Sequence, residues 1–241
     1  MTAVASRGAA SKQTAGSAPA EPDDLLGRYR QVRGSTDALT APLSPEDQTV
    51  QTMPDVSPTK WHRAHTSWFF ETFVLGPHLA GYSRFHPAYA YLFNSYYEAA
   101  GPRYTRARRG CVSRPGCAEI SDYRAHVDEA MARLIASGPA PEATWLTELG
   151  LHHEQQHQEL LLMDIKHVLS SSPLDPAYAP AVRPAAPAAP AADGVTRAEH
   201  GPPGWIAHDG GVVEVGHQGP GFAFDNEGPA HQVLLQPFTV A

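Results

Sequence analysis

Residues 145–169 read WLTELGLHHEQQHQELLLMDIKHVL. The segment from about Pro141 to Ser170 has the period of one long helix, in which Gly150 is a tolerated weak point. His153 and His157 are four residues apart. Four residues turn a helix by about 400°, so both rings leave the same face, one turn apart. Two imidazoles in that relation can share one metal ion. Their neighbours Leu160, Leu161 and Leu162 are strongly apolar. A third ligand has to come from another part of the chain.

Residues 57–75 offer candidates for the third ligand. Ser57-Pro58-Thr59-Lys60 opens a helix, WHRAHTSWFFETFVL follows, and Gly76-Pro77 is expected to stop it. Its Trp and Phe content marks it as mostly buried. It offers both His62 and His65. Imidazole suits iron, zinc, copper and nickel alike, so the spacing does not name the metal. His153-Glu154-Gln155-Gln156-His157 also fits H-E-x-x-H, the zinc-peptidase pattern in which Glu is the general base. The extended form of that pattern wants Gly at position 160 and His at position 163, where this chain has Leu160 and Met163. A downstream Glu ligand is missing too, because no Glu occurs between Leu160 and Ala198. A peptidase is therefore disfavoured.

Working outward, a first helix is expected from Pro22, capped by Asp23 or Asp24, with Leu25, Leu26, Tyr29 and Val32 at helical spacing. A second should start at Ser44-Pro45-Glu46-Asp47, a cap followed by Pro and acids in the first turn. HPAYAYLFNSYYEAAGP, residues 86–102, reads as helical up to Gly101-Pro102, with Tyr89, Tyr91, Phe93, Tyr96 and Tyr97 as core. The Arg-rich stretch from Arg103 to Arg114 reads as a solvated loop, or alternatively as a carboxylate-binding rim. Ser121-Asp122 should cap a helix running to about Ser137 and ending at Gly138-Pro139. Residues 1–20 should be disordered, and 173–203 form a Pro/Ala-rich linker. Residues 204–241 change character to Gly-rich, short alternating strands.

Composition excludes several classes. The chain has 241 residues, 42% of them hydrophobic, enough for a real core, and 13 His, a high count that fits metal chemistry. A formal net charge of −7 argues against a general nucleic-acid surface. No apolar run approaches the roughly 20 residues of a membrane span, so no membrane partner is expected. The first residues lack the apolar core of a secretory signal. Cys111 and Cys117 make no disulfide framework. A cytoplasmic protein is the expectation.

Four stretches taken together resemble one family: SPTKWHRAHTSWFFETFVL (57–75), YLFNSYYEAAGPRYTRARRG (91–110), LGLHHEQQHQELLLMDIKHVLS (149–170) and FAFDNEGPAHQVLLQPFTVA (222–241). They are similar to the ergothioneine-biosynthesis sulfoxide synthases, in the family's order from about Pro22 to Ala241. That resemblance implies a mainly α fold: a DinB-like four-helix bundle over residues 21–172. The start of a β-rich, formylglycine-generating-enzyme-like (C-type-lectin-like) domain would follow over 204–241. It implies Fe(2+) held by His65, His153 and His157, with His62 and His152 as neighbours. The implied reaction uses O2 to join the imidazole C2 of Nα-trimethylhistidine (hercynine) to the sulfur of cysteine or γ-glutamylcysteine, leaving a sulfoxide. Gln156 matches a position that contacts the imidazole substrate, and Arg103 and Arg106 match a loop that grips the thiol substrate's carboxylates. The family's catalytic tyrosine falls beyond Ala241, so no catalytic residue is assigned. The second domain is expected to be incomplete, and the chain to bind iron but turn over poorly. Ovothiol- and selenoneine-forming relatives share this layout. Two other readings stay open: a DinB-like zinc or nickel thiol transferase, and an inactive fragment whose histidines are structural.

Overall fold

A computed structural model describes residues 25–97, 100–179 and 204–240. The described chain is mainly helical, with a small antiparallel strand region at its C-terminal end. Four long helices dominate: α1 (Leu25–Thr40), α2 (Thr59–Phe69), α5 (Cys117–Ala136) and α6 (Pro141–Ser170). Each of α1 and α2 packs against both α5 and α6. Between α2 and α5 lie two short helices, α3 (Gly76–His78) and α4 (Tyr89–Leu92), and a 3-10 segment, Arg106–Cys111.

The core is aromatic. Trp68, Tyr29, Tyr89, Tyr123 and Phe70 are fully buried between the helices, and each such ring contributes about 1.5–3 kcal/mol by leaving water. Buried polar groups tie the same helices together. Arg33 on α1 donates to Glu154 on α6 at 2.9 Å, to Ser67 on α2 at 2.9 Å and to Asp128 on α5 at 2.7 Å. Arg124 on α5 reaches the other oxygen of Glu154 at 3.3 Å, and Thr36 donates to that oxygen at 2.7 Å. One carboxylate thereby fixes how α6 is rotated against its neighbours.

Several local expectations need correction. The helix expected at Ser44 stops after a turn. Ser44 and Asp47 do bond reciprocally, at 2.9 and 3.1 Å. The carbonyl of Gln48, however, accepts the Lys60 amide at 3.0 Å and so serves the first turn of α2 instead of a continuing helix. Gly76-Pro77 does not stop the helix begun at α2. The chain passes into a π-helical stretch, Phe70–Leu75, and then through α3, with Pro77 in its first turn, where a missing N–H costs nothing. α5 begins at Cys117, four residues before the Ser121 cap inferred from sequence, and Ser121 bonds back to the Cys117 carbonyl. Its end at Ala136 and the left-handed Gly138 (φ 70°) agree with the Gly-Pro stop. α6 has the bounds read from sequence.

The largest misreading is residues 86–102, where α4 is the only α-helix among the described residues. The carbonyls that would continue it are taken by side chains of α2. Leu92 O accepts the Trp61 indole N–H at 3.1 Å, and Phe93 O accepts from His65 Nδ1 at 2.6 Å. The Asn94 amide then ties the loop, donating to Tyr97 O and Gly101 O. Tyr89 and Phe93 are core, as expected, whereas Tyr91, Tyr96 and Tyr97 are exposed at 43%, 67% and 37%.

The strand region holds two antiparallel pairs: β1 (Ile206–His208) with β4 (Phe238–Val240), and β2 (Gly211–Val215) with β3 (His231–Leu235). Most of its residues are exposed. It touches the helices through Phe222, whose ring stacks on His152 at 4.0 Å and 15°. The caps expected at Asp23 and Asp24, the segment 1–20 and most of the 173–203 linker lie outside the described residues. Among the described residues, no helix is long and apolar enough to cross a membrane.

Candidate metal centre

The helical geometry worked out for α6 brings His153 and His157 to the face that meets α2, and α2 supplies His65. One nitrogen from each of the three lies within 4.8 Å of the others, and the group could hold a metal ion. Ring centroids are 4.6 Å apart for His153–His157 and His65–His157, and 5.0 Å for His65–His153.

The state of each ring suits a cation. Burial lowers His65 and His157 well below the ordinary imidazole range, and the neighbouring histidines push the same way. Burial takes His153 down to about 4. All three are then neutral at neutral pH, the form that ligates metals. His65 has its tautomer fixed, because a carbonyl oxygen only accepts: Nδ1 carries the hydrogen given to Phe93, and Nε2 keeps a lone pair. His153 is the most telling. Its Nδ1 is buried without a hydrogen-bond partner among the described residues. An imidazole left so costs about 1–3 kcal/mol, unless something outside the protein takes up its nitrogens. This donor set fits a bound metal.

The walls of the site are aromatic. The Trp61 and Trp68 rings both stack with the His65 ring, at 4.6 Å and 5.3 Å. Phe69 lies 4.7 Å from His153, with Tyr97 at 6.5 Å. His62, the alternative third ligand, stays outside the cluster. Its Nδ1 is 2.9 Å from His157 Nδ1, and its Nε2 is 2.9 Å from Asp164 Oδ2. His152 faces away, toward Phe222.

Glu154 disposes of the H-E-x-x-H likeness. It is completely buried and salt-bridged to Arg33 and Arg124. Burial alone would raise its pKa, but the two arginines hold it at about 2. A carboxylate so committed is no general base.

Arg103, Arg106 and Arg109 line a cavity of about 320 Å³ with Ser95, Tyr96, Tyr104 and Thr105, and the Trp61 ring lies between Arg109 and His65. The structure thus groups the two arginines singled out in the sequence and adds Arg109. Arg103 donates to Ser95 O at 3.1 Å, and Arg106 to the Tyr96 hydroxyl at 2.5 Å and to the Asp55 carbonyl. Arg109 is buried, donates to Ser57 and Ser95, and keeps its Nε unpartnered among the described residues. Burial lowers its pKa to about 9, which leaves a full cation at neutral pH. Gln156 is exposed on α6, and its side chain makes no hydrogen bond to the described residues. A larger, apolar cleft of about 430 Å³ lies at the far end of α6, near Tyr178, and among the described residues its charged lining groups are Lys166 and Asp175.

Sequence reading missed Asp164, Arg109 and the clamp on Glu154. For Asp164 a signal existed. It follows His157 by seven residues, two turns along the same helix face, among apolar residues that are buried. The role of Arg109 depends on folding the loop back over Trp61, which local sequence does not encode. No family model matches the chain, and no curated protein matches it.

Proposed function

We propose that this chain is the iron-binding part of an O2-dependent sulfoxide synthase of the kind that serves ergothioneine biosynthesis, with a DinB-like helical bundle and a formylglycine-generating-enzyme-like segment after it. The observation that carries the reading is the meeting of His65, His153 and His157, with an arginine-lined pocket whose Arg109 is separated from His65 by the Trp61 ring. His65, His153 and His157 would hold Fe(2+). When bound, ferrous iron supplies up to three open positions beside three neutral ligands and the means to use O2. The overall change is thiol plus imidazole C2–H plus O2 giving the C–S sulfoxide and water, with one oxygen on sulfur and the other leaving with both hydrogens.

The chain's own residues bind and orient. Arg103, Arg106 and Arg109 give forked, cationic donors matched to the carboxylates of cysteine or γ-glutamylcysteine. Gln156, next to His157 in sequence, offers an amide to the hercynine imidazole. The Trp61, Trp68, Phe69 and Tyr97 rings keep water from the back of the ligands, which strengthens the charge interactions at the site. The commitment of Glu154 to two arginines speaks against a metallopeptidase. Neither a nucleic acid nor a membrane has a part in this reading, and cytoplasmic location is part of the proposal.

The test begins with metal. Anaerobic equilibrium dialysis with Fe(2+) should give one ion per chain, lost in His65→Ala, His153→Ala and His157→Ala. Oxygen uptake should then need hercynine and a thiol together. Preference for zinc or nickel, with thiol transfer proceeding without O2, would move the protein to the transferase reading. Unchanged metal content in His153→Ala would make the histidines structural.

A further inference from the structure

Four ring nitrogens and one carboxylate form a chain whose hydrogens can be placed one by one. Asp164 Oδ2 accepts the Ser57 amide at 2.8 Å and lies 2.9 Å from His62 Nε2. A carboxylate only accepts, so the hydrogen sits on His62 Nε2. A neutral imidazole carries a single N–H, which leaves a lone pair on His62 Nδ1. That lone pair faces His157 Nδ1 at 2.9 Å. Two ring nitrogens this close need one hydrogen between them, and only His157 can supply it. His157 is then the Nδ1–H tautomer, with its Nε2 lone pair free.

We propose that His62 and Asp164 are positioning residues, which lock the tautomer and ring plane of His157 so that Nε2 is presented to the metal. The Phe93 carbonyl does the same for His65 at 2.6 Å. Two of the three ligands are thus set in advance by different devices, one through a backbone carbonyl and one through a side-chain relay. The relay is rigid as well as directional. His62 is 3% exposed and Asp164 6%, and the Ser57 amide fixes the carboxylate at the start of α2. α2 therefore contributes a ligand in His65 and an orienting group in His62, one helical turn apart, while α6 contributes the ligand His157 and the relay's anchor Asp164. Partners of this kind hold the ligand's ring and raise its basicity, and removing one costs about 10- to 100-fold in metal affinity.

The inference rests on the metal reading of the three histidines, but not on the identity of the ion. The test uses the full chain labelled with 15N-histidine and free of metal. Long-range 1H–15N spectra should give Nδ1–H for His65 and His157 and Nε2–H for His62. His157 found as Nε2–H, or His62 found doubly protonated, overturns the relay. Binding of Co(2+) and Fe(2+) is then compared across variants. His62→Leu should lose about 10- to 100-fold in affinity and release His157 into a mixture of tautomers. His62→Gln should stay within a few-fold of wild type, because an amide can accept from His157 and donate to Asp164. Equal losses in both variants would make His62 merely a packing residue and sink the proposal. Should His62→Leu fail to fold, the wild-type spectrum still decides. If the ranking holds for Co(2+) while Fe(2+) binds poorly, the iron reading falls and the relay stands. If iron binds well and the ranking is absent, the relay falls alone.

Discussion

The guanidinium carbon of Arg109 lies 3.4 Å from the centre of the Trp61 ring, and Trp61 in turn stacks on His65 at 4.6 Å and 12°. A cation that lines the arginine cavity is thereby one aromatic ring away from a ligand of the candidate metal centre. A contact of this kind between Arg and Trp in a desolvated setting contributes about 2 kcal/mol, and with the bonds to Ser57 and Ser95 it holds the guanidinium in place.

Arg109→Gln should therefore separate two functions. Metal content should stay at the wild-type level, since no ligand is touched. Affinity for a carboxylate-bearing thiol should fall about tenfold or more, in line with about 1.5–3 kcal/mol for a hydrogen bond to a charged group. Calorimetric titration of the metal-loaded chain with cysteine or γ-glutamylcysteine reads this directly. Loss of metal together with thiol would mean that Arg109 supports the fold of the site instead.

Acid should destabilise the metal-free chain through His65, His153 and His157. His153 has a folded pKa of about 4, lowered by burial from 6.5. Between those values the unfolded chain binds a proton that the folded chain refuses, so stability falls as pH drops from 6.5 toward 4. The slope is about 1.4 kcal/mol per pH unit for each such histidine, and the downward shifts of His65 and His157 add in the same direction. Urea midpoints measured from pH 7 to pH 4.5 should decline, and His153→Gln should flatten the decline. A profile that is level over this range in the wild type contradicts the buried, neutral imidazoles.

Glu154→Gln should be among the most damaging single changes. It leaves Arg33 and Arg124, both nearly fully buried, facing a neutral amide. Removing one partner of a buried pair costs about 3–5 kcal/mol. Because Glu154 is held at about 2, its contribution is complete above the unfolded carboxyl range, near 4.5, and is lost as pH falls toward 2. Denaturation at pH 7 should therefore separate the variant clearly from wild type. A loss below about 1 kcal/mol would show that the arginines find other partners.

Gly150 carries more than the sequence lets one read. A Cβ there would sit 2.4 Å from Phe70 Cε1 and 3.0 Å from Phe69 Cε1. Alanine gains about 1 kcal/mol of helix propensity, but forcing a methyl against the fully buried Phe70 costs about 1–3 kcal/mol. Gly150→Ala should lower the melting temperature, and pairing it with Phe70→Leu should recover part of the loss. A rise in melting temperature for the single variant would mean that α6 can shift away from the π-helical stretch at no cost.

What could be read from the chain depended on whether the deciding interaction was local. α6 was legible to the residue, since Pro141 at its first turn and the spacing of His153 and His157 are properties of one segment. The start of the helix that carries His65 was legible too, although its stop at Gly76-Pro77 was not, and the choice between His62 and His65 needed either a family resemblance or the packing of α2 on α6. Residues 86–102 misled because aromatic residues at helical spacing serve equally well to tuck an irregular loop. The helix there yields to Trp61 and His65, which arrive from about 30 residues away in sequence to claim two carbonyls. Ser44-Pro45-Glu46-Asp47 forms its cap and no more, because the Gln48 carbonyl is needed at α2. Arg109 sits in an Arg-rich run where every member looks alike until the loop closes over Trp61.

The histidines that could hold a metal ion stand at positions 65, 153 and 157, so the arginine loop and the whole of α5 lie between the first and the others along the chain. An ion held by all three would stitch distant parts of the polypeptide together, acting as a cross-link that the two unpaired cysteines do not provide. Chelators would then loosen the entire bundle, and supply of the ion during synthesis would govern how much of the protein survives to work.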